Sequence, residues 1–159
     1  MKLQFVEPFL LAIFSTVETV LRSRPMRGEL SMRQCSTTRQ KVTMIVRVSG
    51  DVEGLATCGM SHITAQKLIS ALLGRSADTI DEAGREALTE MTSIIAERSL
   101  KALKDAGFKC KVEESRVSVR AGEDLILPVP VLFVPMITSI GRVEIGVSLI
   151  ESRAAGKAA

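Results

Sequence analysis

The sequence predicts a single α+β domain: a mainly antiparallel sheet of about six strands packed against two long helices and one shorter helix. Three observations predict it. The periodicities fall in blocks, in the order α, then β, β, β, then α, α, then β, β, β, without the alternation of single strands and crossover helices that builds a parallel sheet. Gly50-Asp51 joins two strand-like runs in the manner of a β-hairpin. Neither GxGxxG nor GxxxxGK[ST] occurs, so nothing points to a nucleotide-binding sheet.

Each element has a local reason. Pro8 suits the first turn of a helix, and Glu7 before it suits the positive end of the helix dipole. Phe9, Ile13, Val17 and Val20, with Leu10, Phe14 and Leu21, give that helix a wide apolar face as far as about Arg22, and Pro25 stops it. Residues 26–35 alternate loosely enough for a strand. Residues 41–49 and 54–60 form the hairpin. Ser61 is a plausible N-cap for the next helix, whose apolar face is Ala65, Leu68, Ile69, Leu72 and Leu73 and whose terminator is Gly74 in the left-handed region.

The longest element is a helix over residues 78–106, more than about seven turns. Ala83, Ala87, Met91, Ile94, Ile95 and Ala102 recur at three- and four-residue steps and form its buried stripe. Glu86, Glu90, Ser93, Glu97, Lys101 and Lys104 form the opposite, wet stripe. Residues 109–120 read as an exposed strand in which Glu113 and Glu114 break the alternation. Residues 127–137 are apolar on both faces and carry Pro128, Pro130 and Pro135, which predicts an edge strand or a bulge. Val143, Ile145, Val147 and Leu149 alternate with Arg142, Glu144, Gly146 and Ser148, the clearest strand in the chain. The domain is expected over residues 1–152, with 153–159 a flexible tail of small residues.

Composition excludes several classes. At 159 residues and 46% hydrophobic, the chain can bury one continuous core. Aromatics amount to 3%, with no Trp or Tyr, so there is little on which bases could stack, and a net charge of +3 is too small to argue for nucleic acid or an anionic membrane. Cys35, Cys58 and Cys110 are odd in number and far apart, which fits a reducing compartment; with His62 the lone histidine, no metal site is expected. Glu7 and Pro8 interrupt the first apolar run, against a signal peptide, and the proline-bearing second run is too short to span a bilayer. A soluble cytoplasmic protein is expected.

Within the long helix, Glu90 stands out because no cation lies at i±3 or i±4, whereas Glu97 has Lys101 at i+4. Glu90 is therefore available to a group outside the helix. His62 reads as a first-turn surface residue, Cys58 as core, and the methionines as core or edge packing.

The chain resembles the CheX branch of the CheC/CheX/FliY phosphatases. Val6-Glu7-Pro8-Phe9 resembles the family's V-x-P-F opening, and Gly50-Asp51-Val52-Glu53-Gly54 its G-D-x-x-G hairpin. Residues 61–74 resemble its following helix, and Glu90 to Ser93 falls in register on its E-x-x-N motif with Ser93 in place of Asn. Thr89 and Glu97 stand where the family commonly has glycine. The resemblance covers nearly the whole chain. It implies action on the aspartyl-phosphate of a CheY-type response regulator in bacterial chemotaxis, with Glu90 pairing with the regulator's lysine and residue 93 orienting water. Glu86, Glu90, Ser93 and Glu97 would form the partner-binding row, and Glu90 and Ser93 the catalytic pair. No cofactor of the chain's own is implied, since Mg²⁺ comes with the regulator; a homodimer is implied, with sheet-edge contacts expected to contribute.

Residues three apart on a helix share a face, so one rigid helix can present both groups to an acyl phosphate. A hydroxyl is shorter than a carboxamide and cannot offer a carbonyl and an amide together. Two readings follow: a phosphatase in which Ser93, or a water held by Ser93 and Thr92, replaces the amide, and a non-catalytic module that docks a regulator or another signalling partner.

Overall fold

A computed structural model describes residues 2–152. The expected tail, 153–159, lies outside the described residues. In chain order the elements are α1 (Leu3–Leu21), β1 (Met26–Arg27), β2 (Ser31–Arg33), β3 (Val42–Gly50), β4 (Val52–Met60), α2 (His62–Leu73), α3 (Glu82–Asp105), β5 (Cys110–Ser118), β6 (Val131–Thr138) and β7 (Gly141–Glu151). All pairings are antiparallel. The seven strands form one sheet in the order β1-β6-β7-β4-β3-β5, with β2 pairing β6 beside β1. The α+β architecture is as the sequence predicts, with one more strand.

The core lies between the helices and one face of the sheet. Period-two alternation sends Val42, Met44, Val46 and Val48 of β3 and Val143, Ile145, Val147 and Leu149 of β7 to that face, where they meet Phe9, Ile13, Leu88, Met91 and Ile95. The opposite face is covered too. Ile45 and Leu55 point there and are buried, because residues 34–40 and 121–130 cross it, tied together by the amide of Thr38 donating to the Glu123 carbonyl and that of Leu125 to the Ser36 carbonyl.

The hairpin, the Ser61 cap and the Gly74 stop form as expected. Ser61 Oγ accepts from the Thr64 amide at 3.2 Å, and Gly74 sits at φ 68°. In the hairpin Gly54 pairs with Val48 at φ 137°, where a Cβ would run into the Ser148 carbonyl of β7; only glycine lets the two strands approach so closely.

Expectations at α1, at residues 26–35 and 127–137, and along α3 need correction. Helix α1 begins at Leu3, so Pro8 lies inside it rather than in its first turn, and the first turn holds no acidic residue. Pro8 is buried, and burial of Phe5 and Val6 with the core outweighs the one hydrogen bond the proline forfeits. The helix ends at Leu21 with Arg22 in the left-handed region, before Pro25 is reached.

The single strand expected at 26–35 is two, β1 and β2, and they cover β6, which is therefore one strand in from the edge. Pro135 explains the break, and the break lets a proline-bearing strand be covered. The proline has no N–H to offer a neighbouring strand, so the covering segment breaks opposite it, leaving one contact in which the Gly28 amide donates to the Pro135 carbonyl at 2.7 Å.

The broken alternation at Glu113-Glu114 is a β-bulge: Arg47 pairs with Glu114 but Val48 pairs with Val112. Lastly, the buried stripe of α3 is Gly84, Leu88, Met91, Thr92, Ile95, Ala96, Ser99 and Leu103; Ile94, expected inside, is 37% exposed, and Ala83, Ala87 and Ala102 are half-buried. Two hydroxyl residues could join the stripe because each bonds the carbonyl one turn back, Thr92 to Leu88 and Ser99 to Ile95, both at 2.7 Å.

α1 is the one helix among the described residues long and apolar enough to cross a membrane; half of it is buried in the fold, against α3 and the sheet.

Candidate functional site

Helix α3 is held rigidly enough to present side chains. Asp81 caps it, accepting from the Gly84 amide at 2.8 Å, and Gly84 lies flat against Ile69 of α2, where a Cβ would come within 3.0 Å of the Ile69 side chain. Farther along, Arg98 reaches across to α1 and donates to the hydroxyls of Thr16 at 3.1 Å and Ser15 at 3.4 Å. Nothing in the spacing of residues marks Arg98 in advance, since its partners lie on another helix.

The exposed row is the expected one. Glu86, Glu90 and Glu97 are exposed and Ser93 is half-buried among them. Helix rise puts Glu90 and Ser93 about 4.5 Å apart along the axis, on one face. No described residue forms an ion pair with Glu86 or Glu90. The pair expected between Glu97 and Lys101 is also absent among the described residues: both side chains are exposed, and an exposed i, i+4 attraction of a few tenths of a kcal/mol does not hold two long side chains in one rotamer. The row thus holds three carboxylates and one hydroxyl, and none of the three carboxylates is in an ion pair with a described residue.

Its hydroxyls differ in what they can do. Thr92 is fully buried and its Oγ1 donates to Leu88, so a water shared by Ser93 and Thr92, expected from sequence as one substitute for the amide, has no second holder. Thr89 is exposed beside Glu90 and donates to the Arg85 carbonyl at 2.8 Å. Ser93 has no hydrogen-bond partner among the described residues, and its hydroxyl is free to turn outward.

Three-dimensional structure adds a feature that no motif marks. Beside the row, where α3 meets the ends of α1 and α2, lies a groove of about 380 Å³ with Glu86 and Glu90 on its rim and Val20, Leu73, Ala87 and Ile94 among its apolar walls. The small side chains Ala83 and Ala87, four residues apart, leave that wall low. Among the described residues no group of three His, Cys, Asp or Glu side chains is placed to hold a metal ion. Cys58 lies away from the row, and burial pushes its thiol up to about 12.

This arrangement of sheet and helices is found in solved structures. A chemotaxis protein CheX from Desulfovibrio desulfuricans superimposes with a TM-score of 0.80 at 19% identity, over 93% of this chain and 99% of that one. The fold is the CheX fold. A CheC-like superfamily protein from Shewanella sp. PV-4 matches with a TM-score of 0.82 at 16% identity, over 94% and 99%. The CheX of a CheX-CheY-BeF3-Mg²⁺ complex from Borrelia burgdorferi matches with a TM-score of 0.73 at 24% identity, over 92% and 98%. No protein-family profile matches the chain, and no curated protein is similar to it in sequence. The CheX likeness thus lives in the fold.

Proposed function

We propose that this CheX-fold protein docks a CheY-type response regulator through the exposed row of α3, with Glu86, Glu90, Ser93 and Glu97 at the contact. The observation that carries the reading is the exposed carboxylates Glu86 and Glu90, in no ion pair with a described residue, on a capped helix of a fold that in Borrelia burgdorferi forms a CheX-CheY complex. Unpaired surface carboxylates attract a cationic partner group and steer its approach. The regulator's lysine is the group this reading assigns to Glu90. Mg²⁺ belongs to the regulator.

A second reading adds hydrolysis, and the free hydroxyl of Ser93 favours it. Water attacks phosphorus, the P–O bond to the regulator's aspartyl carboxylate breaks, and inorganic phosphate and a free aspartate result. Phosphoryl transfer asks mainly for positioning and electrostatics, so a hydroxyl that orients water supports some turnover, and less than an amide with both a donor and an acceptor. Docking is the better supported of the two.

Both are tested by mixing the protein with phosphorylated CheY-type regulators and following binding and dephosphorylation, with Ser93→Asn and Glu90→Ala alongside. Failure of wild type and of both variants to bind any regulator overturns the reading.

The reading includes a homodimer in the cytoplasm. Because β6 is covered by β1 and β2, the sheet edges offered to a second copy are β5 and the β1–β2 segment, where Met26 and Met32 are 69% and 57% exposed. A monomer in light scattering at high micromolar concentration would count against it.

A further inference from the structure

We propose that the groove between α1, α2 and α3 is the specificity pocket of the docking surface: it takes an apolar side chain of the receiver-domain partner, set beside a cation that meets Glu86 and Glu90. The inference rests on the docking reading above and names what that reading leaves open, the feature by which this chain selects its partner.

The chemistry of the groove chooses the occupant. Its floor is Met91, 1% exposed, and its walls are the aliphatic ends of three helices. Ile94 stands on one wall at 37% exposure, although periodicity would bury it. Apolar surface left open in this way is stabilised by an apolar partner. The rim on the α3 side is two carboxylates without a partner among the described residues, and a wholly apolar occupant would strip water from them without compensation. The occupant that satisfies floor and rim together is an aliphatic or aromatic side chain with a lysine or arginine close to it. Such an apolar anchor ringed by polar contacts is the usual form of an interface hot spot. The groove also adjoins Glu90 directly, so the same helix row serves recognition on one side and the acyl phosphate on the other.

The test measures Kd for a panel of isolated CheY-type receiver domains activated with beryllofluoride and Mg²⁺. Ala87→Phe fills the groove from within the chain, and Ile94→Asn makes its exposed wall polar without burying anything new; circular dichroism checks that each folds. Both should raise Kd at least tenfold, while Lys101→Ala, on the same exposed row but away from the groove, should leave it unchanged. If wild type binds, Glu90→Lys abolishes binding, and both groove variants bind like wild type, the pocket assignment fails and the docking reading stands. If groove variants change self-association in light scattering instead of receiver binding, the pocket belongs to a second copy of the chain and the assignment also fails. If wild type binds no receiver, both fall together.

Discussion

Thr92 and Ser93 are neighbours in sequence, about 100° apart around α3: Thr92 is fully buried with its hydroxyl bonded to Leu88 at 2.7 Å, and Ser93 stands half-buried beside Glu90 with its hydroxyl unengaged among the described residues. One hydroxyl serves the helix and the other serves the surface. Ser93→Asn should therefore raise the rate of regulator dephosphorylation by about tenfold or more, as an amide placed to orient water would. Thr92→Val should leave that rate unchanged. A phosphate-release assay separates the two outcomes, and a gain of activity lost with Thr92→Val would mean that the helix turns in the complex.

Arg98 ties the presenting helix to α1 through Thr16 and Ser15. Removing it with Arg98→Ala should cost about 1 kcal/mol, the usual net worth of such hydrogen bonds. At this chain length that is a fall in Tm of roughly 2–4 °C by calorimetry. Thr16→Val in the same background should add only the loss of the bond that its hydroxyl donates to the Ala12 carbonyl at 2.7 Å, since the contact with Arg98 is already gone.

Gly54 is held at φ 137° with the Ser148 carbonyl where a Cβ would be. Gly54→Ala combines a strained backbone with a clash between β4 and β7, and should destabilise by at least about 2 kcal/mol in urea unfolding. Gly74→Ala, at φ 68° with open space around the Cβ position, should cost less.

Burial raises the Cys58 thiol from 9.0 to about 12. The folded value is raised above the unfolded one, so the native state keeps a proton that the unfolded chain loses. The contribution is fully present below pH 9 and is lost as pH rises toward about 12. Urea midpoints should fall across that alkaline window, and Cys58→Ala should flatten the fall. Cys58 should also resist a thiol reagent at pH 8 until the protein unfolds.

Glu123 moves the other way. The Arg116 side chain bonds its carboxylate and holds it below the ordinary 4.5. A depressed value gives stability that is present above the unfolded carboxylate range and lost as pH falls through the folded one. Glu123→Gln should flatten the acid limb of Tm against pH as pH falls below 4.5.

Sequence alone determined the elements whose cause is local. Alternation of Val143, Ile145, Val147 and Leu149, the Ser61 cap, the Gly74 stop and the Gly50-Asp51 hairpin depend on neighbours a few residues away, and each formed as read. The exposed row Glu86, Glu90, Ser93 and Glu97 was legible for the same reason: helix geometry alone puts these residues on one face. Tertiary structure decided what depends on distant partners. Pro135 breaks the strand that covers it, the β-bulge absorbs Glu113, and burial of Phe5 and Val6 carries α1 through Pro8. It also turned Thr92 inward, left Ile94 out, and opened the groove beside Glu90, because that groove is walled by three helices that no short stretch of sequence brings together. Local propensity acts over one turn of helix or one hairpin, whereas burial is shared by residues far apart in the chain, so it is settled only when the sheet and helices have packed.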